Sequence, residues 1–317
     1  MKNALILILL AGIIGLLYAY SLSIPAAITA PVLAACVVEL ALYIAFIAEP
    51  SRRWIDRHLA PLPLWMAASA LAPYLIVTLP LGAFDWQRFA ALAGLAAVLS
   101  LWYTVLPRRR ELDLLFIAIV AAGLLLPVFA WIYPRPHPKL PMAVLGQSMW
   151  TRLAMLAVVG VARIPVKGFG FIPTRAEWIA GTRNFLLFLP VGALIVWWTN
   201  FARFRPHPAD WRLPFLAVVT FAGMLWIVAL REEFFFRGLL QEWTTRWLKS
   251  EWLALILVSV LFGLAHLPFR DFPNWPMVAL AAAAGVFYGR AYMEAKSVRA
   301  AMIAHALVNT VWRTMLG

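Results

Sequence analysis

LPFLAVVTFAGMLWIVAL, residues 213–230, carries no charge and runs directly into REEFFFRG, residues 231–238. An apolar run of this length is close to the roughly 20 residues that cross a bilayer as a helix. The charged segment therefore places two adjacent carboxylates, Glu232 and Glu233, at the edge of a membrane span. An ionisable group at membrane depth costs about 2.5–3.5 kcal/mol on insertion scales. Such a cluster indicates chemistry, ion movement or a polar lock between helices.

The composition predicts a membrane protein. Of the 317 residues, 64% are hydrophobic and 13% are charged, whereas a soluble domain is nearer half apolar and a quarter charged. We expect an all-α polytopic transmembrane bundle of about 8–11 helices. Its candidate spans are the long apolar runs, which are Ala4–Tyr20, Ala26–Phe46, Leu62–Gly82, Phe89–Val105, Leu114–Ile132, Asn184–Trp198, Leu213–Leu230, Trp252–His266, Trp275–Tyr292 and Val298–Met315. Polar residues interrupt Pro141–Val161, which is either another span or an interfacial helix.

The excess of positive charge is an indication of topology. Lys and Arg number 27 against 14 acidic residues, and arginines cluster in short loops between apolar runs. These clusters are Arg52, Arg53 and Arg57, then Arg108, Arg109 and Arg110, then Arg203 and Arg205. We interpret them as topology signals and lipid-headgroup contacts, and we expect no nucleic-acid partner. Lys2 and the first two clusters fall on one side, which predicts a cytoplasmic N-terminus, and the arginine and tryptophan usage favours a bacterial inner membrane.

The composition also divides the chain into three parts. Residues 1–133 hold N-terminal transmembrane helices of unknown role. Residues 134–183 form a connecting region, because Tyr133–Pro141 contains four prolines and cannot be helical. A second irregular piece of this region, Lys167–Arg183, is basic and contains the string Gly168-Phe169-Gly170-Phe171. Residues 184–317 hold all the informative motifs, and we expect them to form the functional core.

Helical geometry separates the two glutamates. Residues four apart share a helix face, and adjacent residues do not. Glu233 and Arg237 can therefore form an ion pair along one face. Glu232 points elsewhere and remains available. A carboxylate that lies among apolar side chains and close to an arginine is suited to act as a general base.

Two further segments bring polar groups to membrane depth. His266 ends an apolar run, four residues after Phe262, and His305 and Asn309 are four apart on one face of the last run. Converging helices can gather these groups and the free glutamate into one cavity. A lone intramembrane histidine or asparagine more often bonds a neighbouring helix, and the isolated Glu39 fits that structural interpretation. The functional interpretation depends on the coincidence of three segments.

Taken in order, the three motifs resemble the CAAX-protease and bacteriocin-processing family, which comprises intramembrane peptidases and includes the Rce1-type enzymes. The patterns are Glu-Glu-x-x-x-Arg, Phe-x-x-x-His and His-x-x-x-Asn. The residues that match them are Glu232, Glu233, Arg237, Phe262, His266, His305 and Asn309. The resemblance covers about Leu213 to Met315, a third of the chain. It implies an Rce1-like core and an intramembrane glutamic endopeptidase.

The resemblance also implies roles for these residues. The first glutamate, Glu232, would activate a water molecule with the assistance of His266. His305 and Asn309 would stabilise the oxyanion as preorganised donors. The supporting residues, which would hold the catalytic set in place, are Glu233, Arg237 and Phe262.

No cofactor is expected, although members of the family are often labelled metalloproteases. Glu232, His266 and His305 would be the ligands if the site bound zinc. The chain has no His-Glu-x-x-His helix. Its only cysteine, Cys36, excludes a disulfide within the chain and a thiolate metal site. We therefore favour catalysis without a metal.

The expected substrate is a membrane-associated peptide or protein, and membrane lipid is the other expected partner. Rce1-type enzymes remove a tripeptide after a prenylated cysteine, but nothing in this sequence encodes prenyl recognition. Two other classes stay open. A proton-coupled transporter would show inverted repeats, and the sequence has no such symmetry. A non-catalytic scaffold or immunity protein would keep the fold and the polar cluster.

Overall fold

The computed structural model describes residues 2–58, 61–202 and 212–316. These residues form 13 helices and no β-strand, which confirms the predicted all-α bundle. Within them, five helices are long and apolar enough to cross a membrane, and the chain is an integral membrane protein. The third arginine cluster, Arg203 and Arg205, lies outside the described residues.

The chain folds as two compact units, Met1–Pro165 and Val166–Gly317. The helices of the first unit are α1 (Lys2–Ser21), α2 (Ala26–Ile47), α3 (Glu49–His58), α4 (Leu62–Thr78), α5 (Trp86–Val105), α6 (Arg110–Leu125), α7 (Val128–Ile132) and α8 (Ala143–Val161). The helices of the second unit are α9 (Arg175–Thr199), α10 (212–248), α11 (Glu251–Leu264), α12 (Trp275–Ala295) and α13 (Val298–Met315). The three-part division at residues 133 and 183 stays a prediction.

Helix α8 lies at the centre of the first unit. About two thirds of it, 67%, is buried, against 28% for α2 and for α5. It packs on α2, α4, α5, α6 and α7. The ambiguous segment Pro141–Val161 is therefore a buried helix, and Thr151 and Arg152, two of the polar residues that interrupt it, point into the unit.

Two features of the first unit differ from the apolar-run prediction. The segment Leu114–Ile132 is divided into α6 and α7 at Pro127, because proline removes a helical hydrogen bond and clashes with the preceding turn. Helix α3 is polar and could not be found by a search for apolar runs. The stretch between α7 and α8, which contains the four prolines, is not helical, as predicted.

Local caps determine where the helices of the second unit begin. Helix α9 begins at Arg175, earlier than the predicted Asn184, because Thr174 and Glu177 form a capping box at its N-terminus. The side chains of three further N-cap residues accept hydrogen bonds from backbone N–H groups at the starts of α11, α12 and α13, and these residues are Ser250, Asn274 and Ser297. Helix α12 packs on α9, α11 and α13, and α13 packs on α9 and α10. This packing brings the three motif-bearing helices together.

Candidate active site

The two adjacent glutamates occupy a short α-helical turn between two π-helical stretches of α10. The turn is Leu230–Glu233, the π-helical stretches are Met224–Ala229 and Phe234–Gln241, and α-helix resumes at Glu242. π-Helical insertions inside α-helices are rare and occur frequently at functional sites. The two π-helical stretches therefore flank the same glutamates that the sequence motif identifies.

Glu233 is fully buried and is held by two partners. Its carboxylate lies 3.2 Å from Nη1 of Arg237 and accepts a hydrogen bond of 2.6 Å from Nδ1 of His305. The ion pair predicted from the spacing of Glu233 and Arg237 is present. The contact with His305 was not predicted, because the two residues lie 72 positions apart in the chain, on different helices.

Arg237 is also fully buried and is held on several sides. Its Nη2 donates to the backbone carbonyl of Gly285 at 2.9 Å, and a Cβ at Gly285 would lie 3.2 Å from that nitrogen. The guanidinium carbon lies 4.7 Å from the ring centroid of Phe262, a cation–π distance. Glu233, Arg237 and Phe262, the three predicted supporting residues, therefore form one buried assembly.

Glu232 has a different environment from its neighbour. Its side chain keeps 21% of its accessibility, whereas that of Glu233 keeps none. One carboxylate oxygen lies 3.6 Å from Nη2 of Arg231, and the other lies 3.8 Å from Nε2 of His305. That second oxygen, Oε2, has no hydrogen-bond partner among the described residues. The carboxylate therefore retains unused acceptor capacity, as expected for the residue that spacing left free.

His266 lies two residues after the last residue of α11, Leu264. Its Nδ1 lies 2.8 Å from the backbone oxygen of Phe262. Because a carbonyl only accepts, Nδ1 donates, and in the neutral imidazole Nε2 is then an acceptor. The rings of Phe262 and His266 are also in contact, with centroids 4.7 Å apart. The Phe-x-x-x-His spacing therefore orients the imidazole through both its backbone bond and its ring contact.

Asn309 lies one helical turn after His305 on α13. Both residues line the same cavity, as their shared helix face predicted. The Asn309 amide nitrogen has only a long contact of 3.7 Å with the sulfur of Met224, which is a weak acceptor. The amide is therefore available to a stronger acceptor in the cavity.

A cavity of about 590 Å³ connects these groups. Its size is within the usual range for ligand pockets, and its wall comes from α10, α11, the loop after α11, α12 and α13. The four predicted catalytic residues line it, and they are Glu232, His266, His305 and Asn309. Glu233 and Arg237 lie behind the wall. The structure thus brings the three motifs to one site, while the chemical role of each residue stays a prediction.

The cavity is also lined by residues that the motifs did not indicate. They include Arg231, Arg270, Tyr288 and Arg313. Tyr288 stacks on His305, and no feature of the sequence distinguishes it from other aromatic residues of an apolar helix. The arginines could be read from sequence only as helix-end or loop charges.

The alternative zinc site can be compared with the geometry. Within residues 2–58, 61–202 and 212–316, no three His, Cys, Asp or Glu side chains are grouped so that they could hold a metal ion. This holds also for Glu232, His266 and His305, the predicted zinc ligands. Nδ1 of His305 is already bound to Glu233. Catalysis without a metal stays a prediction.

Comparison with known families agrees with the motifs. Residues 214–311 match the family described as type II CAAX prenyl endopeptidase Rce1-like. The matched region runs from α10 into α13 and contains all seven motif residues, so the resemblance to this protease family is confirmed for this part of the chain. No curated protein and no solved structure matches the chain.

Proposed function

We propose that the protein is an intramembrane endopeptidase that hydrolyses a peptide bond of a membrane-associated peptide or protein, with Glu232 as the general base. The observation that carries the proposal is the contrast between the two glutamates. Glu233 is fully buried and engaged by Arg237 and His305, whereas Glu232 lines the cavity and its side chain keeps 21% of its accessibility. An ionised carboxylate with unused acceptor capacity can take a proton from water.

The proposed reaction begins with a water molecule between Glu232 and the scissile carbonyl. As the water oxygen bonds to the carbonyl carbon, one water proton passes to Glu232 and the carbonyl electron pair moves onto its oxygen. His266, whose Nε2 is free to accept, assists in orienting the water. When the tetrahedral intermediate collapses, the carbon–nitrogen bond breaks and the leaving amine takes the proton from Glu232.

The oxyanion formed in this step needs hydrogen-bond donors. Asn309 supplies an amide with no strong partner of its own. His305 lies between Glu232 and Glu233 and is the second proposed donor. Glu233, Arg237 and Phe262 hold this arrangement from behind the cavity wall.

The proposal uses no metal. If zinc were required, its ligands would be Glu232, His266 and His305, and a chelator would abolish activity of the purified protein. We expect activity to survive prolonged treatment with a chelator.

A cytoplasmic N-terminus and a bacterial inner membrane remain part of the proposal, supported by the arginine clusters near residues 52 and 108.

The experiment is quantitative terminal peptidomics of membranes from cells that lack the protein. The cells are resupplied with wild type, with Glu232→Gln or with Glu242→Gln at matched levels. Glu242 is the matched control, because it lies on the same helix and is paired with Lys167 away from the cavity. We expect peptide termini that appear with wild type and with Glu242→Gln and are absent with Glu232→Gln.

Other outcomes would favour the other classes. Identical termini with wild type and Glu232→Gln would contradict the catalytic role of Glu232. If ion or solute flux changed with Glu232→Gln while the termini stayed the same, a proton-coupled transporter would be the better interpretation. If neither changed, a non-catalytic scaffold or immunity protein would be.

A further inference from the structure

Tyr288 lines the cavity, yet neither the motifs nor the proposed reaction gives it a role. Its side chain is almost completely buried. Its ring stacks on the imidazole of His305, with centroids 4.6 Å apart and planes inclined by 10°. It also meets Phe262 edge to face, at 5.9 Å. Tyr288 therefore contacts one predicted catalytic residue and one predicted supporting residue.

The hydroxyl of Tyr288 has no hydrogen-bond partner in the part of the chain that the structure describes. Its oxygen is also not one of the unpaired polar atoms that are fully buried, so it keeps some accessible surface. A buried tyrosine usually pairs its hydroxyl. One turn further along α12, Tyr292 does so, because its hydroxyl donates to Glu242 at 2.8 Å. The Tyr288 hydroxyl is therefore open to the cavity, where its partner would be water or substrate.

The oxyanion would otherwise have few donors. Nδ1 of His305 is bound to Glu233 at 2.6 Å, and Nε2 faces Glu232 at 3.8 Å. Both ring nitrogens of His305 are thus directed at carboxylates, which leaves Asn309 as the one predicted donor with no strong partner. A phenol is neutral near pH 7 and donates one hydrogen bond.

We propose that Tyr288 is a further catalytic residue, whose hydroxyl donates a hydrogen bond to the scissile carbonyl oxygen as that oxygen becomes negatively charged. The inference rests on the proposed function. No proton leaves the tyrosine: the water oxygen bonds to carbon, Glu232 receives the water proton, and the O–H group of Tyr288 stabilises the negative oxygen. The stacked ring holds the hydroxyl at a set position relative to His305.

The test compares Tyr288→Phe with Tyr292→Phe in the purified full-length protein. The substrate is a synthetic peptide that spans a cleavage site defined by a Glu232-dependent terminus. Removing one oxyanion donor typically costs about 10²–10³ in kcat, so we expect about a hundredfold lower kcat for Tyr288→Phe with KM nearly unchanged. Tyr292→Phe removes the same atom one turn away and should keep kcat close to that of wild type.

Rates are expressed per folded molecule, measured by size-exclusion chromatography, and Tyr288→Leu is measured beside the other two variants. A wild-type kcat in Tyr288→Phe together with a loss in Tyr288→Leu would mean that only the ring matters, and it would overturn the proposal. A raised KM with unchanged kcat would also overturn it, since the hydroxyl would then bind ground state and transition state equally. If wild type and Glu232→Gln produce the same termini, the proposed function fails first and this inference fails with it.

Discussion

Each unit of the molecule buries a glutamate–arginine pair, and the two pairs differ in how completely their hydrogen bonds are satisfied. In the first unit, Arg152 bonds both oxygens of Glu39, at 2.8 and 2.9 Å, and its remaining terminal nitrogen donates to Ser69 at 2.8 Å. In the second unit, one oxygen of Glu233 and Nε of Arg237 lack hydrogen-bond partners among the described residues.

The surroundings of the two pairs differ as well. Glu39 and Arg152 are buried among packed helices. The guanidinium carbon of Arg152 lies 5.7 Å from the ring centroid of Phe46. The pair of Glu233 and Arg237 lies directly behind a cavity. The comparison teaches that a buried charge by itself does not mark a functional site. Incomplete hydrogen bonding beside open space distinguishes the candidate active site from a structural ion pair.

The largest expected effect is on activity, at Glu232. Glu232→Gln removes the general base, and general acid–base catalysis contributes about 10²–10⁴ in rate. We expect a loss of this size in peptide cleavage, with a thermal unfolding temperature close to that of wild type because the side chain makes few contacts. Glu39→Gln should do the reverse, lowering stability without changing the rate per folded molecule. A stable and fully active Glu39→Gln together with an unfolded Glu232→Gln would contradict the comparison.

The largest expected effect on stability is at Arg152. Arg152→Met leaves the Glu39 carboxylate buried without a partner, and breaking such a pair costs about 3–5 kcal/mol. The double variant Glu39→Leu with Arg152→Met removes both charges and should recover most of that loss. Unfolding of the detergent-solubilised protein, followed by circular dichroism, measures both. A double variant no more stable than the single one would show that the pair is needed for more than charge balance.

Glu233→Gln should have an intermediate effect on both properties. It removes the counter-ion of Arg237 and weakens the hydrogen bond that orients His305, because a neutral amide oxygen is a poorer acceptor than a carboxylate. Hydrogen bonds to charged groups contribute about 1.5–3 kcal/mol. Stability should fall by about that amount, because the Gly285 carbonyl and aromatic rings still surround the guanidinium. Cleavage should fall at least about tenfold as His305 loses its orientation. Unfolding and cleavage measured on the same preparation test this, and an effect on only one of them would argue against a shared role.

The smallest expected effect is at the other end of α10, where Lys167 pairs with Glu242 at 3.0 Å. Lys167 is 51% exposed, and exposed pairs contribute at most about 1 kcal/mol. Lys167→Gln should therefore change stability by no more than that and leave cleavage unchanged. The same two assays measure it, and a loss of cleavage without a loss of stability would extend the candidate site beyond the cavity.

The parts of the site that depend on a single helix could be predicted from sequence. The pairing of Glu233 with Arg237 and the shared face of His305 and Asn309 follow from 3.6 residues per turn. The same geometry left Glu232 free, and the structure places it at the cavity. Apolar runs of bilayer length likewise predicted the all-α membrane architecture.

Contacts between helices could not be predicted in this way. Glu39 and Arg152 are 113 positions apart, and sequence spacing contains no information on which helices meet. The same reason hid the bond from His305 to Glu233 and the stacking of Tyr288. The π-helical stretches also escaped prediction, because a pattern of 100° per residue assumes a uniform α-helix.

The length of α10 has a consequence for how it lies in a bilayer. Residues Pro214–Leu248 form one continuous helix of 35 residues, which includes the two π-helical stretches. At the α-helical rise of about 1.5 Å per residue its length would be about 52 Å, which is an upper limit because a π-helix rises less per residue. The hydrocarbon core of a membrane is only about 30 Å thick. Even a strongly tilted helix of this length cannot be contained in that layer. Part of α10 must therefore lie in the headgroup region or in water, so this one helix supplies both a membrane anchor and a surface outside the hydrocarbon layer.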